Sequence, residues 1–176
     1  MWPDFTMHIS QHIDTAIHSL ARVSSYLLPI MMLVMGLVVL LRYVFDSGSI
    51  FLQESVTYFH ALVFMLGIPY TLSVDEHVRV DIFYARFSKQ WQNRVNLCGH
   101  VVFLMPLSLS ILVFSWQYAI NSWRILEGSA EVGGVPAVFL LKSLIPLMAL
   151  LLFIQGLSEI SKCVRSLKSS QSAKAV

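Results

Sequence analysis

The chain has very little charge for its length, and that charge is unevenly spread. Only 12% of its 176 residues are Asp, Glu, Lys or Arg, whereas a soluble domain usually has about 25%. Four stretches contain none of these residue types, namely residues 23–41, 55–74, 95–123 and 143–158. A helix that crosses the ~30 Å hydrocarbon core of a bilayer needs about 20 such residues. The composition therefore excludes a water-soluble globular domain and indicates an integral membrane protein.

The apolar runs also lack the alternation of polar and apolar residues that a membrane β-barrel requires. They are continuous, and in lipid only helices and closed barrels satisfy every backbone polar group. The fourth run reaches spanning length when it is extended back to Val138, with Lys142 near enough to the end to snorkel. We therefore predict an all-α fold, a single membrane domain (1–176) with four transmembrane helices. The predicted spans cover residues about 23–42, 54–75, 95–123 and 138–160, and a cytoplasmic tail follows at 161–176.

The first 20 residues lack the pattern of a cleavable signal peptide, which has a basic start, a short apolar stretch and a small-residue site. They carry acidic residues and histidines instead, and the apolar run begins only after Arg22. We therefore expect the first span to remain in the mature protein.

Basic residues lie mostly on one side of this predicted topology. Nine of the twelve Lys and Arg residues precede the first span, lie between the second and third, or follow the fourth. The other side has Arg42 and Arg124, with Lys142 at the membrane edge. Because cytoplasmic segments are enriched in Lys and Arg, we expect both termini to be cytoplasmic. Cys98 and Cys163 then fall on or near the reducing side and form no Cys-x-x-Cys pair, which argues against a disulfide or redox role.

Two segments outside the spans are amphipathic. Apolar residues recur every three or four positions over 4–21 and again over about 79–93. We predict that each forms a helix lying at the membrane interface. A helix docked on a partner protein would show the same apolar stripe, so this second interpretation stays open. The proposed interfacial anchors are Phe83, Phe87, Trp91 and Lys142.

Each predicted span contains one proline, at Pro29, Pro69, Pro106 and Pro146. Proline lacks a backbone N–H and its ring collides with the preceding turn, so it bends or breaks a helix. We interpret these prolines as kinks of the kind common in membrane helices, rather than as a gating hinge.

The spans contain almost no ionisable group at membrane depth, where a transporter binds protons, ions or substrate. Two histidines, His60 and His100, are the exceptions. Two facing histidines can hold a b-type haem, but these lie near opposite membrane surfaces, ~15 Å apart along the membrane normal. One iron cannot bind both at that separation. A haem-holding anchor of a respiratory enzyme therefore ranks second to an accessory subunit, and a self-contained small exporter third.

The inner end of the second span carries a charged string in which His77 and Asp81 lie four residues apart, on one helix face. Such a pair can seed a metal site, but a carboxylate beside a histidine and an arginine is more often a salt-bridged cluster. We interpret His77, Arg79 and Asp81 as a structural lock at the inner membrane face. The sequence lacks catalytic-triad order, a phosphate-binding loop, zinc spacing and a basic stripe with aromatics, so we expect no enzyme activity, cofactor, metal or nucleic acid partner.

Several short motifs occur in an order that resembles a known family. They are RYVF (42–45), Glu54, Gly67, HVRVD (77–81), GVP (134–136), KSLIP (142–146) and QG (155–156). Their order over roughly residues 33–160 resembles the small permease subunit (DctQ-like) of tripartite ATP-independent periplasmic (TRAP) transporters, and HVRVD is the most specific string. The family often has a tryptophan followed by paired acids where this chain has FLQE (51–54).

The resemblance implies a subunit of the bacterial inner membrane that acts beside two partner proteins. A large multi-span permease subunit would carry the substrate and sodium sites, and a periplasmic substrate-binding protein would deliver an organic acid for sodium-coupled uptake. The small subunit would brace and anchor the permease, with membrane lipids as its other contacts. We hypothesise that Arg42, Glu54 and Arg124 lie near a periplasmic docking surface, with ordinary salt bridging and snorkelling as the alternative.

Overall fold

The computed structural model describes residues 2–74 and 88–172, and the side chains within 10–74 and 88–167. These ranges fold into helices joined by short connections, without any strand, so the predicted all-α class is confirmed. Four stretches are long and apolar enough to cross a membrane, in agreement with the predicted number of spans. The helices are α1 (Trp2–Ser25), α2 (Leu27–Val44), α3 (Ile50–Ser73), α4 (Lys89–Gly99), α5 (Met105–Arg124) and α6 (Val138–Ser172), with one π-helical turn (His100–Leu104) between α4 and α5.

Helices α1 and α2 are separated only by a turn at Tyr26. The hydroxyl groups of Ser24 and Ser25 donate to backbone carbonyl groups three residues earlier, at 2.9 and 2.7 Å. Pro29 follows at the start of α2 and has no N–H to offer the carbonyl group of Ser25. Serine back-bonding and the missing donor together account for a helix break at this point.

The π-helical turn before α5 has a similar cause. Pro106 lies at the start of α5, directly after the turn. In a regular α-helix its ring would collide with the carbonyl group of Val102, to which it also has no N–H to donate. A wider π turn relieves that conflict. By contrast, Pro69 and Pro146 lie within α3 and α6.

The membrane-spanning helices are arranged as a row in the order α2, α3, α6, α5. Helix α6 lies in the interior of the row and contacts α3 on one side and α5 on the other. A small apolar core joins them, built from buried Leu72 of α3 and Met148 and Leu152 of α6. Helix α5 packs chiefly on α6, and α2 packs chiefly on α3. The row therefore has two edge helices, α2 and α5.

Helix α1, which covers the predicted interfacial segment 4–21, packs on the chain's own α3 and α6. Its buried side chains within the described part include Ser10, Ile17 and Ser24. The ring of His18 packs edge-on against Tyr70 of α3, with centroids 4.9 Å apart, and bonds the hydroxyl group of Ser73 at 3.1 Å. Part of the α1 surface, including Ile17 of the apolar stripe, thus makes intramolecular contacts that neither interpretation of the sequence included, whereas Leu20 of the same stripe is exposed.

The second predicted interfacial segment, about 79–93, lies mostly outside the described residues. Three further predictions lie entirely outside them: the structural lock (His77, Arg79, Asp81), the metal alternative at the same residues, and the anchors Phe83 and Phe87. Within the described part, α4 begins at Lys89 and presents Trp91, whose side chain is 57% exposed. The guanidinium group of Arg94 lies 5.4 Å from the centroid of that ring, within cation–π range.

Candidate functional site

Successive spans run in opposite directions. The C-terminal ends of α2 and α5 and the N-terminal ends of α3 and α6 therefore lie on the same side of the row, at one end of the helix axes. We call this the outer end, after the predicted orientation. It carries Arg42, Glu54, Arg124 and Lys142 from the sequence predictions. The structure places these four residues in different surroundings.

Glu54 fastens the loop between α5 and α6. One carboxylate oxygen accepts a hydrogen bond from the hydroxyl group of Ser129, and the other accepts the backbone N–H of Val135 at 2.6 Å. The backbone of Gly134 passes so close that an added Cβ would lie 2.7 Å from Glu54 Oε2. Its neighbour Gly133 adopts a positive φ of 81°, a conformation that favours glycine. Glu54 and the GVP motif, which the sequence presents separately, therefore form one structural unit.

Lys142 closes the same loop from the α6 side. Its Nζ lies 2.5 Å from Glu127 Oε2 and 4.3 Å from the centroid of the Tyr118 ring. The hydrogen bond from Lys142 lowers the pKa of Glu127. The predicted interfacial anchor thus takes part in an ion pair and a cation–π contact.

Trp123 adds an aromatic contact between the same two helices. Its indole N–H donates to the hydroxyl group of Ser143 at 2.7 Å. Its ring packs edge-on against Phe139, with centroids 4.6 Å apart. The outer ends of α5 and α6 are therefore joined by hydrogen-bonded, ionic and aromatic contacts.

Arg42 and Arg124 are exposed, and within the described ranges neither makes an ion pair. Arg42 lines a shallow groove between α2 and the start of α3, with Tyr43 and Gln53 beside it. Arg124 ends α5. Of the three residues in the docking hypothesis, Glu54 is thus engaged within the chain, and the two arginines face outward.

At the opposite end of the helix axes, α1 and α6 share a polar cluster, which we call the inner cluster. The amide group of the fully buried Gln155 donates to Asp14 Oδ1 and to Glu159 Oε1, both at 2.9 Å. Lys162 Nζ lies 2.7 Å from Asp14 Oδ2 and 2.7 Å from Glu159 Oε1. The three charged side chains are partly buried, and pairing offsets the cost of removing them from water.

A second layer of the inner cluster lies one turn further along α6. Arg165 donates to the hydroxyl group of Ser10 at 2.8 Å, and Ser10 and Ser161 lie within 3.0 Å of each other. The sequence reasoning missed these contacts. The available signal was the spacing of Gln155, Ser158, Glu159 and Lys162, which places four polar side chains on one face of α6.

Gly156, the second residue of the QG motif, allows α6 to approach the π-helical turn closely. A Cβ at this position would lie 3.0 Å from Leu104 Cδ2 and 3.3 Å from Met105 Cε. Glycine therefore keeps the helix contact tight. The two residues of the motif thus serve two different neighbours, α1 and the start of α5.

The two span histidines lie at different depths. His60 is exposed on α3 and stacks on Phe64 with centroids 6.2 Å apart, whereas His100 begins the π-helical turn. Counting residues from the outer ends of their helices, at 1.5 Å per residue, places the two histidines about 20 Å apart along the direction of the helix axes. Within the part of the chain that the structure describes, no group of three or more His, Cys, Asp or Glu side chains could hold a metal ion. This placement gives no support to the haem-holding alternative.

The sequence also matches the model of a known protein family. A family model described as "Tripartite ATP-independent periplasmic transporters, DctQ component" matches residues 31–166. The match includes α3, α4 and α5 entirely and most of α2 and α6. Searches of curated proteins and of solved structures gave no match.

Proposed function

We propose, from the premise that this chain belongs to the DctQ component family of TRAP transporters, that it braces and anchors the large permease subunit. Family membership makes the chain a small membrane subunit of such a transporter, and the family is one of transporter subunits, not enzymes. The four membrane-spanning stretches agree with a multi-pass membrane protein. The bracing role, and the details of the transport reaction, go beyond the family assignment.

The placement of charge is the observation that carries this proposal. In the described part, the charged side chains of the spanning helices lie toward their ends, where Glu54, Lys142 and Lys162 bind the chain's own loops and helices. The helix α2 contains no charged residue from its start to Leu41. Ionisable groups at membrane depth mark substrate and ion pathways. A chain that places its charges at the two ends is suited to holding a neighbour in position.

The remaining parts of the proposal concern partners, substrate and location. The permease subunit would carry the substrate and sodium sites, and a periplasmic binding protein would deliver an organic acid with a carboxylate group. The complex would lie in the bacterial inner membrane and act as a symporter. The contacts between α1 and α6, and between α5 and α6, support a rigid scaffold for such a complex.

Reconstitution tests the proposed function. Liposomes that contain this chain alone should take up no organic acid down a sodium gradient. Liposomes that contain the chain, the large permease subunit from the same source and the binding protein should take it up, and omission of this chain should abolish the uptake. Uptake by the chain alone, or full uptake without it, would show that the bracing role is wrong.

The docking hypothesis becomes narrower because Glu54 binds the chain's own loop. We propose that Arg42, which faces outward at the outer end, contacts the binding protein, while Glu54 supports the loop between α5 and α6. The change Arg42→Glu should lower uptake at limiting binding protein about tenfold, because an acidic side chain then faces the binding protein in place of a basic one. The complex with the permease should still be recovered. Unchanged uptake over a range of binding protein concentrations would contradict this assignment.

A further inference from the structure

The two edge helices of the row present different faces to their surroundings. On α2, the outward side chains between Leu27 and Leu41 are apolar. On α5, the face packed toward α6 is made of small buried residues, which are Ser108, Ser115, Ala119 and Ser122. The face on the other side of α5 carries polar groups. We call it the outer α5 face, and its residues are Ser110, Phe114, Gln117, Asn121 and Arg124.

Helical geometry places these two sets of residues on opposite sides of α5. The residues of the outer α5 face follow one another at intervals of three, four or seven, so they form one stripe along the helix. At 100° per residue, the centre of this stripe lies roughly 150° from the centre of the buried set. All five side chains are exposed, and that of Phe114 is 81% exposed. The stripe therefore points away from every described helix.

Lipid is a poor neighbour for this face. The amide group of Gln117 donates to Asn121 Oδ1 at 2.9 Å, which leaves the carbonyl oxygen of Gln117 and the amide N–H groups of Asn121 without partners among the described residues. Gln117 lies about 10 Å from Arg124 along the helix, which is about a third of the hydrocarbon thickness. Hydrocarbon offers no hydrogen bonds at that depth. Amide side chains in membrane helices are instead satisfied by neighbouring helices.

We propose that the outer α5 face is the surface of this chain that binds the large permease subunit. The occupant is a transmembrane helix of the permease that presents hydrogen-bonding side chains to Gln117 and Asn121. Near its outer end, that helix presents an acidic side chain or free carbonyl groups to Arg124. This inference rests on the proposed function, because it assumes that the permease is the partner.

Helix α3 also turns polar side chains outward, namely Thr57 and His60. However, α3 lies inside the row and has α2 and α6 as neighbours, so a partner helix can reach only a narrow part of its surface. Helix α5 has its main contact on one side, and a second helix can pack along its full length. The position of α5 and the polarity of its outer face therefore select the same edge.

Photo-crosslinking in the intact complex tests this assignment. p-Benzoylphenylalanine in place of Phe114 should form a covalent product with the permease subunit when the two chains are expressed together. The matched control carries the same group in place of Leu33, on the outward face of α2. Leu33 is 74% exposed and lies about as far from Arg42 as Phe114 lies from Arg124. The control should label lipid and give at least tenfold less product with the permease.

A second measurement uses the amide pair. The double change Gln117→Leu and Asn121→Leu should reduce the permease recovered with this chain about tenfold in mild detergent, because two interhelical hydrogen bonds are lost. Met32→Ala with Leu33→Ala, on α2, should leave recovery unchanged. Purified protein that keeps its helical circular dichroism shows that the α5 variant is folded.

The outcomes separate this inference from the proposed function. If unmodified chain recovers no permease, the proposed function fails. If it does recover permease, a crosslink from position 33 but not 114, a crosslink from 114 to a second copy of this chain, or labelling of lipid alone would overturn the assignment of the α5 face. Undiminished recovery by the Gln117→Leu, Asn121→Leu chain would overturn the role of the amide pair.

Discussion

At the scale of single residues, Gly134 is the position with least room for a side chain. The change Gly134→Ala places a methyl group against Glu54 and Ser129. The loop must then move, which should cost about 1–3 kcal/mol of stability. A lower thermal unfolding midpoint in detergent, followed by circular dichroism, is the expected result.

Gly128 in the same loop provides the control for that change. A Cβ there would meet Pro136 Cα at 3.5 Å, an ordinary van der Waals distance. Gly128→Ala should therefore shift the midpoint much less than Gly134→Ala. Equal shifts would mean that flexibility of the loop backbone, and not the contact with Glu54, is responsible.

The ion pair between Glu127 and Lys142 predicts a dependence of stability on pH. Its hydrogen bond lowers the pKa of Glu127 from an ordinary value of 4.5. A carboxyl group whose pKa is lowered by folding stabilises the folded chain above its unfolded pKa, and this contribution is lost as pH falls through the lower folded pKa. The unfolding midpoints of the unmodified chain and of Glu127→Gln should therefore differ at neutral pH and converge as the pH falls below 4.5 and through the lowered pKa of Glu127.

Glu131 is the matched control, since it is an exposed carboxylate of the same loop. Glu131→Gln should not change the midpoint difference between neutral and acidic pH. A constant gap between the unmodified chain and Glu127→Gln across the whole acid range would contradict the role of the ion pair.

The sequence identifies several of these residues but not their contacts. Glu54, the GVP motif and Lys142 are all recognisable as motif positions, and the family they indicate is confirmed. The bond between Glu54 and Val135 depends on the path of a loop with positive φ at Leu126 and Gly133. The spacing of residues in the sequence does not determine that path, so the docking hypothesis placed Glu54 near a surface for a partner protein.

At the scale of helices, Gln155 is the fully buried link between α1 and α6. In Gln155→Leu, the buried amide that donates to Asp14 and Glu159 is replaced by an apolar group of similar size that forms no hydrogen bond. Asp14 keeps its ion pair with Lys162 but loses a buried donor. We expect amide hydrogen exchange within residues 10–24 to become about tenfold faster, with smaller changes in α3.

Leu157 lies two residues further along α6 and is 50% exposed, so Leu157→Ala is a suitable control for α6 itself. It should leave exchange in α1 unchanged. Uniform acceleration in all helices of Gln155→Leu would indicate a general loss of stability, and the inner cluster would then not be specific to α1.

Helix existence is easier to read from this sequence than helix neighbours. Amphipathic spacing over 4–21 indicates a helix because apolar residues recur with the helical period. The same stripe suits lipid, a partner or another part of the chain, so periodicity alone does not identify its contact with α3 and α6. Likewise, Pro106 predicts a distortion, but its position alone does not distinguish a simple kink from the π-helical turn found at His100–Leu104.

At the scale of the whole molecule, the orientation in the membrane stays a prediction of the basic-residue distribution. In a chain with Cys98→Ser and Cys163→Ser, a membrane-impermeant maleimide should label Ala130→Cys from outside intact spheroplasts. Ser166→Cys should react only after the membrane is permeabilised. Both positions are exposed, so access to the reagent decides the result. The reverse pattern would invert the topology and contradict the positive-inside argument.

The number of spans was predictable because charge is excluded from long apolar runs, which is a strong physical signal. Their order in the row was not, because four runs of similar composition pack on one another without a distinguishing mark. Small residues such as Ser108 and Ala119 do indicate close helix contact. They do not reveal that α6 is the partner.

The position of α6 in the row has a consequence for biogenesis. Among the described spans, α6 is made last, yet it is the one that joins α5 to α3. Until it leaves the translocon, the single span formed by α4, the π-helical turn and α5 lacks its main packing partner, and Asp14 has no Lys162 to pair with. Membrane quality-control proteases thus meet a half-assembled intermediate whose lifetime is set by the translation of a single C-terminal segment.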